Sequence, residues 1–159
     1  MTLGVDSFKA KLVGGGARTN LFKATVNFPS GVQGDVELSS FMIKAAQLPA
    51  SIIAPVTVPF RGRQLQVAGD RTFEPWTITV INDTNFSVRN SMESWMNAIN
   101  GHSTNAGRNN PADYQADLKV EQLDKNGNSL KDYTFRGCFP TNVSAIDVSY
   151  ETENTIEEF

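Results

Sequence analysis

Apolar and polar residues alternate strictly over two separated stretches of the sequence, and this alternation limits the fold more than any other feature. The apolar members of the two stretches are Phe22, Ala24, Val26 and Phe28, then Trp76, Ile78 and Val80. A period of two places successive side chains on opposite faces of a strand, so each stretch predicts a strand with one buried and one exposed face. The chain is therefore predicted to be an antiparallel β protein.

Further segments with strand character surround these two. They cover residues 37–46, 56–60, 64–68, 117–123, 130–135 and 142–150. Pro55 and Pro59 cannot donate hydrogen bonds to a ladder, so the segment 56–60 is predicted at a sheet edge or in a projecting loop. Turns are predicted at 61–63, at 69–70 and at Asn126-Gly127, the last as a type I′ hairpin turn.

One helix is predicted, over residues 87–100. Its apolar residues recur with helical spacing and form one face: Val88, Met92, Trp95, Met96 and Ile99. Asn85 or Ser87 is the predicted N-cap, and Gly101 is the predicted left-handed residue after the helix. The apolar face is predicted to cover the β core, although a cofactor or partner groove has the same pattern.

The length of 159 residues allows one domain with one hydrophobic core. The first 18 residues have no clear hydrophobic period and contain Gly14-Gly15-Gly16, which predicts a mobile N-terminal arm on a flexible tether. Residues 19–159 are predicted to form the single domain.

Residues that carry chemistry are scarce. The chain has one cysteine, Cys138, and one histidine, His102, which lies in a polar loop and is predicted to be a plain surface residue. The loop that begins at Asp124 lacks the glycine and the glutamate that a calcium loop needs. No catalytic, cofactor-binding or metal site is predicted, and the sequence indicates a non-enzymatic building block.

No segment resembles a membrane span or a signal peptide. The longest apolar stretch, residues 52–58, is interrupted by Pro55 and Thr57 and is far shorter than the ~20 residues that span a bilayer. Asp6, Lys9 and Lys11 stand where a signal peptide would have its apolar run. We therefore expect a soluble chain that is neither exported nor inserted into a membrane.

Charge is distributed unevenly, although the net charge is only −3. Residues 1–75 carry eight Lys and Arg against five Asp and Glu, whereas residues 76–159 carry six against twelve. Two halves of opposite sign favour head-to-tail self-association, whereas scattered basic residues are weak support for nucleic-acid binding.

Five motifs resemble the tail tube proteins of contractile-tailed bacteriophages, and the similarity runs from about residue 17 to the end. They are ARTNLF at 17–22, AQLPA at 46–50, VAGDRTF at 67–73, WTITVIND at 76–83 and FPTNV at 139–143. The resemblance implies two packed antiparallel sheets that form a β-barrel or sandwich, with the helix at 87–100 on its flank. In that family the segment after 154–156 continues as a long final strand, whereas this sequence ends at Phe159.

The resemblance also implies hexameric rings that stack into the hollow inner tube of a contractile tail, a structural part of the virion that conducts the genome. The implied partners are further copies of the chain, the tail sheath protein, the baseplate hub and the tape-measure protein. Assembly in the host cytoplasm is implied, with DNA passing through the lumen without specific binding. One alternative is the tube of a phage-derived injection particle. Another is a monomeric ligand-binding β-barrel in which Trp95 and Met96 line a pocket.

A ring-stacking site is predicted from the projecting segment at 55–71 and the acidic C-terminal segment. Its predicted residues are Val58, Phe60, Arg61, Arg63, Asp70, Arg71, Glu151 and Glu153. The apolar residues are expected to supply most of the affinity, and the ion pairs, at about 0–1 kcal/mol each when exposed, to set the register. The lumen wall is expected to be negative or neutral, because a wall of Lys and Arg would hold DNA.

Overall fold

The computed structural model describes residues 4–159 and contains more strand than helix. The helices are α1 (Val5–Lys11), α2 (Val36–Met42), α3 (Ser87–Ile99) and α4 (Pro111–Tyr114). The strands are β1 (Phe22–Val26), β2 (Ile43–Ala46), β3 (Ser51–Phe60), β4 (Arg63–Phe73), β5 (Ile78–Val80), β6 (Ala116–Leu123) and β7 (Ser129–Cys138). The prediction of a mainly β protein with a helix at 87–100 is confirmed, and the described residues contain three further helices that were not predicted.

The strands form three antiparallel sheets. The first has the order β1-β6-β7, the second pairs β2 with β5, and the third is the hairpin β3-β4. The first two sheets pack on a shared core, and the hairpin contributes no residue to it. The predicted packing of two antiparallel sheets is confirmed, but they do not close into a barrel within residues 4–159.

The shared core consists of eight buried apolar side chains from the two sheets and helix α3. They are Ala24, Val26 and Val120 from the first sheet, Ile43 and Val80 from the second, and Val88, Met92 and Trp95 from α3. The strand residues follow the period of two and the helix residues follow the helical spacing, so each element buries the face that its sequence pattern marks.

Trp95 is the largest fully buried side chain of the core. Its indole Nε1 donates a hydrogen bond of 2.6 Å to the backbone oxygen of Tyr114, and its ring meets Phe28 edge-on at a centroid distance of 5.8 Å. The polar N–H of the indole is therefore satisfied inside the core. The prediction that the apolar face of the helix covers the β core is confirmed.

Helix α3 begins differently from its prediction. The residue at the N-cap position is Phe86, in a left-handed conformation with φ of 55° and without a side-chain cap. The carboxylate of Asp83 takes over this role, because it accepts hydrogen bonds from the backbone N–H and the hydroxyl of Ser87, both at 2.8 Å. The predicted N-caps Asn85 and Ser87 are therefore wrong, because the capping side chain is Asp83, about one turn before Ser87.

The predicted left-handed conformation of Gly101 is also wrong. Its φ is not positive, and Asn100 is the C-cap with φ of −145°. A Cβ on Gly101 would lie 2.8 Å from the backbone oxygen of Ala106, so glycine is required there by the close approach of the next loop.

The segment 37–46, predicted as one strand, is a helix followed by a short strand. The side chain of Asp35 accepts the backbone N–H of Leu38 at 3.0 Å and starts α2, which continues to Met42. Leu38 and Met42 are four residues apart and pack against the core, so helical spacing describes this part of the chain better than alternation. Only β2 keeps the predicted strand character.

The segment 142–150, predicted as a strand, has no regular structure. Pairing with the second sheet occurs later, where Phe159 exchanges two backbone hydrogen bonds with Val80, at 2.8 and 3.0 Å. The backbone N–H of Asn82 also donates to the oxygen of Glu157 at 2.9 Å. The last residues of the chain, and not the segment 142–150, thus pair with the free edge of β5.

The turn between β6 and β7 is not the predicted type I′ turn. Gly127 has a φ of 83°, but Asn126 is not among the residues with positive φ. The N–H of Gly127 donates to Asp124 at 3.2 Å and the N–H of Asp124 to Asn128 at 2.8 Å. This arrangement matches a type I turn followed by a left-handed glycine, in agreement with the register shift next to Leu123.

Substitution of Asp83 by alanine is expected to lower the melting temperature by a few degrees at neutral pH. The hydrogen bond from the Ser87 hydroxyl holds the pKa of Asp83 below its ordinary 3.8, so the ionised form is favoured in the folded protein. The stabilisation is present above the pKa of the unfolded chain and is lost as the pH falls through the folded pKa. The difference in melting temperature should therefore shrink below about pH 4. Circular dichroism on Asp83→Ala and the exposed control Asp113→Ala measures it; an equal loss in both variants would contradict the capping role.

Candidate functional site: a projecting hairpin and the acidic C-terminal segment

Strands β3 and β4 form a hairpin that projects from the domain. Every residue of β3 is exposed, and in β4 only Gly69 is partly covered. The connecting residues are Arg61 with φ of 48° and Gly62 with φ of 80°, the two positive values that a type I′ turn requires. The predictions of a turn at 61–63 and of a projecting edge segment with prolines are confirmed.

One face of the hairpin is apolar. The register pairs Val56 with Val67, Val58 with Leu65, and Phe60 with Arg63, so these side chains share a face. Phe60 is 66% exposed and Leu65 is 61% exposed. A two-stranded hairpin has little stability of its own in water, so an uncovered apolar face of this size indicates a surface built for contact.

The opposite face of the hairpin is different in character. It carries Pro55 and Pro59 on β3, and between them the Thr57 hydroxyl donates to the side-chain oxygen of Gln66 at 3.1 Å.

Arg61 extends over the ring of Phe60, with its guanidinium carbon 5.3 Å from the ring centroid. A positive charge thus lies beside the apolar face at the tip of the hairpin.

The predicted turn at Gly69-Asp70 is wrong, because both residues lie within β4. The register shifts there, with Ile53 opposite Arg71 and Pro55 opposite Ala68. Strand β4 thus has one extra residue opposite Ala54, which is the arrangement of a β-bulge. A Cβ on Gly69 would lie 2.5 Å from the backbone oxygen of Ala54, so glycine is required by the close approach of the two strands.

The predicted stacking residues form two separate groups. Val58, Phe60, Arg61 and Arg63 lie together at the hairpin tip, with Asp70 and Arg71 further along β4. Glu151 and Glu153 lie in the C-terminal segment. Among residues 4–159, the salt bridges join Lys44 to Glu158, Arg89 to Glu93, and Lys119 to both Glu121 and Asp132. The hairpin arginines and the acidic residues are therefore not paired within one copy of the chain.

The C-terminal segment, residues 142–156, combines acidic and apolar exposed residues. Tyr150, Val148 and Ile156 are among the exposed large apolar side chains. An open cleft of about 510 Å³ is lined by residues 145–149, 152 and 155–158, which belong to this segment or follow it directly. Because Trp95 is 2% exposed and belongs to the core, the predicted ligand pocket lined by Trp95 and Met96 is not formed.

Helix α1 and the residue after it carry an apolar stripe that was not predicted. Val5, Phe8 and Leu12 lie at positions i, i+3 and i+7 and are all exposed. The spacing was present in the sequence, but three residues are too few to separate a short helix from an irregular arm. The predicted mobility of the arm remains a prediction.

Within residues 4–159 no three His, Cys, Asp or Glu side chains cluster in a way that could hold a metal ion. His102 is exposed, as predicted. Cys138 is half-buried, and burial, with a smaller effect from the charge of Asp117, raises the pKa of its thiol. None of the helices in the described part of the chain has the length and apolar character needed to cross a bilayer.

The total exposed surface is large for a chain of this size. The protein exposes 12208 Å², whereas a compact monomer of 17.4 kDa exposes about 7,900 Å². The hairpin, helix α1 and the C-terminal segment together hold most of the exposed large apolar residues. The isolated chain therefore leaves uncovered much of the surface that a monomeric protein would bury.

Comparisons with known proteins identify the relatives of this chain. A family model described as phage tail tube protein matches residues 14–159. The tail tube protein gp19 of Enterobacteria phage T4 is 31% identical over 144 residues, which cover 90% of this chain and 85% of that protein. The tail tube protein of Serratia phage KSP90 is 31% identical over 159 residues, which cover 98% of this chain and 90% of that protein.

Substitution of Gly69 by alanine is expected to loosen the hairpin without unfolding the domain. The new Cβ would collide with the backbone oxygen of Ala54, but the hairpin contributes nothing to the core. Backbone amide exchange should therefore rise in residues 51–73, while the global free energy of unfolding changes by less than about 0.5 kcal/mol.

Hydrogen exchange with mass spectrometry and chemical denaturation measure the two effects of Gly69→Ala. Gly4→Ala is the matched control, because a Cβ at Gly4 meets no atom within 4 Å. A large loss of global stability in Gly69→Ala would show that the hairpin is part of the cooperative core after all.

Proposed function

The chain belongs to the phage tail tube protein family, and from that premise we propose that its copies close into hexameric rings that stack head to tail into a hollow tube. Family membership already makes the chain a structural component of a phage tail and not an enzyme. The proposal concerns how the copies assemble and which surfaces they use.

The observation that carries the proposal is the exposed surface. The chain exposes about half again as much surface as a compact monomer of its mass, and many large apolar side chains are among its exposed residues. Apolar surface left in water costs free energy that assembly recovers. A subunit of this shape is therefore expected to be stable mainly as part of a larger assembly.

Ring closure is proposed to use the open edges of the two core sheets. The order β1-β6-β7 leaves an outer edge on β1 and another on β7, and β2 has a free edge in the second sheet. Unpaired backbone groups at such edges can pair with a strand of the next copy, and a closed ring avoids unlimited growth. The number of six copies is taken from the resemblance to the family.

Ring stacking is proposed to use the hairpin. Its apolar face, formed by Val56, Val58, Phe60, Leu65 and Val67, would be covered by the adjacent ring. Arg61 and Arg63 would then approach Glu151 and Glu153 of that ring. Within one copy, these two arginines form no salt bridge with these two glutamates. Apolar burial supplies most of the affinity in this arrangement, and the charges set the register.

The assembled tube is proposed to lie inside a tail sheath, to begin at the baseplate hub and to have its length set by a tape-measure protein. Assembly in the host cytoplasm and passage of DNA through the lumen without specific binding belong to the same proposal. A phage-derived injection particle would use the same tube without a genome. Particles purified from the native source distinguish the two, because only the phage tail is joined to a head that contains DNA.

Electron microscopy and mass measurement of the purified chain test the proposal directly. We expect rings of six copies and tubes of stacked rings, whose proportion increases with protein concentration. A particle of 17.4 kDa at every concentration would contradict both ring closure and stacking.

Removal of the apolar side chains at the hairpin tip is expected to separate stacking from ring closure. Val58→Ser combined with Phe60→Ser removes two exposed apolar groups from one face, so the protein concentration needed for tubes should rise by about tenfold or more, the factor that corresponds to about 1.4 kcal/mol. Rings should persist. Thr57→Ser combined with Gln64→Ser, on the opposite face, is the matched control. Equal tube yields from the two double variants would exclude the apolar face from stacking.

Charge reversal at Arg61 and Arg63 is expected to shorten tubes in a salt-dependent way. The variant Arg61→Glu/Arg63→Glu should form normal rings but shorter tubes, most clearly at low salt, where screening is weakest. Arg18→Glu/Lys125→Glu changes the net charge by the same amount elsewhere and should assemble like the parent. Normal tube lengths for the hairpin variant at every salt concentration would remove these arginines from the stacking contact.

A further inference from the structure

The first sheet has an outer face that carries none of the core residues. Because side chains alternate along each strand, one face carries the core residues and the other carries the intervening ones. The residues of the outer face, cross-strand neighbours by the observed register, are Lys23, Thr25, Lys119, Glu121, Asp132 and Thr134. All six are polar or charged, and we call this set the polar sheet face.

The charges of the polar sheet face neutralise each other. The Nζ of Lys119 lies 2.7 Å from Glu121 Oε1 and 3.6 Å from Asp132 Oδ2. The hydrogen bond with Glu121 raises the pKa of Lys119, so this side chain stays charged and bound. Lys23 lies directly opposite Glu121 in the register. The face thus has two cations and two anions, with the central cation held between two carboxylates.

The polar sheet face differs from the other uncovered surfaces of the chain. The hairpin, helix α1 and the C-terminal segment all expose large apolar side chains, as expected for surfaces that contact other subunits. The polar sheet face exposes none at these six positions, so burial against another protein would desolvate charges without covering apolar area. Such a face is suited to stay in contact with water after assembly.

We propose that the polar sheet face lines the bore of the tube, and that Glu121 and Asp132 keep Lys119 from binding duplex DNA that passes along it. This inference rests on the proposed assembly into tubes. A free lysine repeated on every subunit would bind phosphates with release of counterions and would retain the DNA. With both carboxylates paired to Lys119, its ammonium group is neutralised by its neighbours on the same sheet, and the phosphates of the passing DNA stay unbound.

Cysteine accessibility in assembled tubes tests the location of the face. Thr134→Cys in a Cys138→Ser background places one thiol on the polar sheet face, and Asn97→Cys in the same background places one on the exposed side of α3. Each tube is treated with a small maleimide and with a maleimide attached to a large globular protein. Before assembly, both reagents should label both variants.

A thiol in the bore has a distinct pattern of labelling in tubes. We expect Thr134→Cys to react with the small reagent, which diffuses in from the ends, and to be protected from the large one. Reaction with both reagents would place the face on the outside of the tube, and reaction with neither would place it between subunits. Either result overturns the inference. A background variant that forms no tubes would instead overturn the proposed assembly on which the inference rests.

Removal of the two carboxylates tests their role. Glu121→Gln combined with Asp132→Asn raises the charge of each subunit by two and leaves Lys119 without a carboxylate at the observed distances. Tubes of this variant should retain short duplex DNA against nuclease digestion about tenfold more than parent tubes at low salt, and the excess should vanish as salt rises.

Glu93→Gln combined with Glu158→Gln is the matched control, since it removes two other ion-paired carboxylates away from the polar sheet face. Its tubes should not protect DNA from nuclease. Equal protection in the two double variants, or none in either, would overturn the role of Glu121 and Asp132. Should Glu121→Gln/Asp132→Asn fail to fold by circular dichroism, the cysteine experiment alone decides, because it leaves the ion pairs in place.

Discussion

The packing of Trp95 between the two sheets is the interaction on which the rest of the structure depends. The indole is held by its hydrogen bond to Tyr114 and by the edge of Phe28, and it links helix α3 to helix α4. Around it, seven smaller apolar side chains complete a core drawn from four strands and one helix. Loss of so large a buried side chain typically costs 3–5 kcal/mol, roughly a third or more of the stability of a small domain.

This core is small for a chain in which 40% of the residues are hydrophobic. Of the large apolar residues that are exposed, most lie in the hairpin, in helix α1 and in the C-terminal segment. The chain therefore combines a small buried core with many large apolar side chains that stay exposed in a single copy. This division agrees with a structural subunit of a phage tail, because the machine is held together by contacts that no single copy can make.

Sequence patterns were reliable where one local period dominated. The alternation in β1 and the helical spacing in α3 marked the buried faces correctly, and Pro55, Pro59 and Gly62 marked the projecting hairpin. The patterns failed where a side chain several residues away decides the conformation. Asp35 starts α2 within an apparent strand, and Asp83 caps α3 in place of the nearer Asn85 and Ser87.

Tertiary information was needed for the rest of the candidate site. The bulge at Gly69 depends on the register of two strands, which a single strand does not reveal. The segment 142–150 has strand composition, but it forms no ladder with either core sheet and has no regular structure. The contact between Lys119 and Asp132 depends on the register in which β6 and β7 pair, which neither strand reveals alone.

The pairing of the last residues with β5 has a consequence for how sheets can grow. Phe159 occupies the backbone groups of Val80, and Glu158 forms an ion pair with Lys44, while Arg89 covers the ring of Phe159 at 5.3 Å. The second sheet is thereby blocked along β5 and open along β2. A neighbouring copy can therefore extend this sheet only along β2, because the backbone groups of β5 already have partners on both sides.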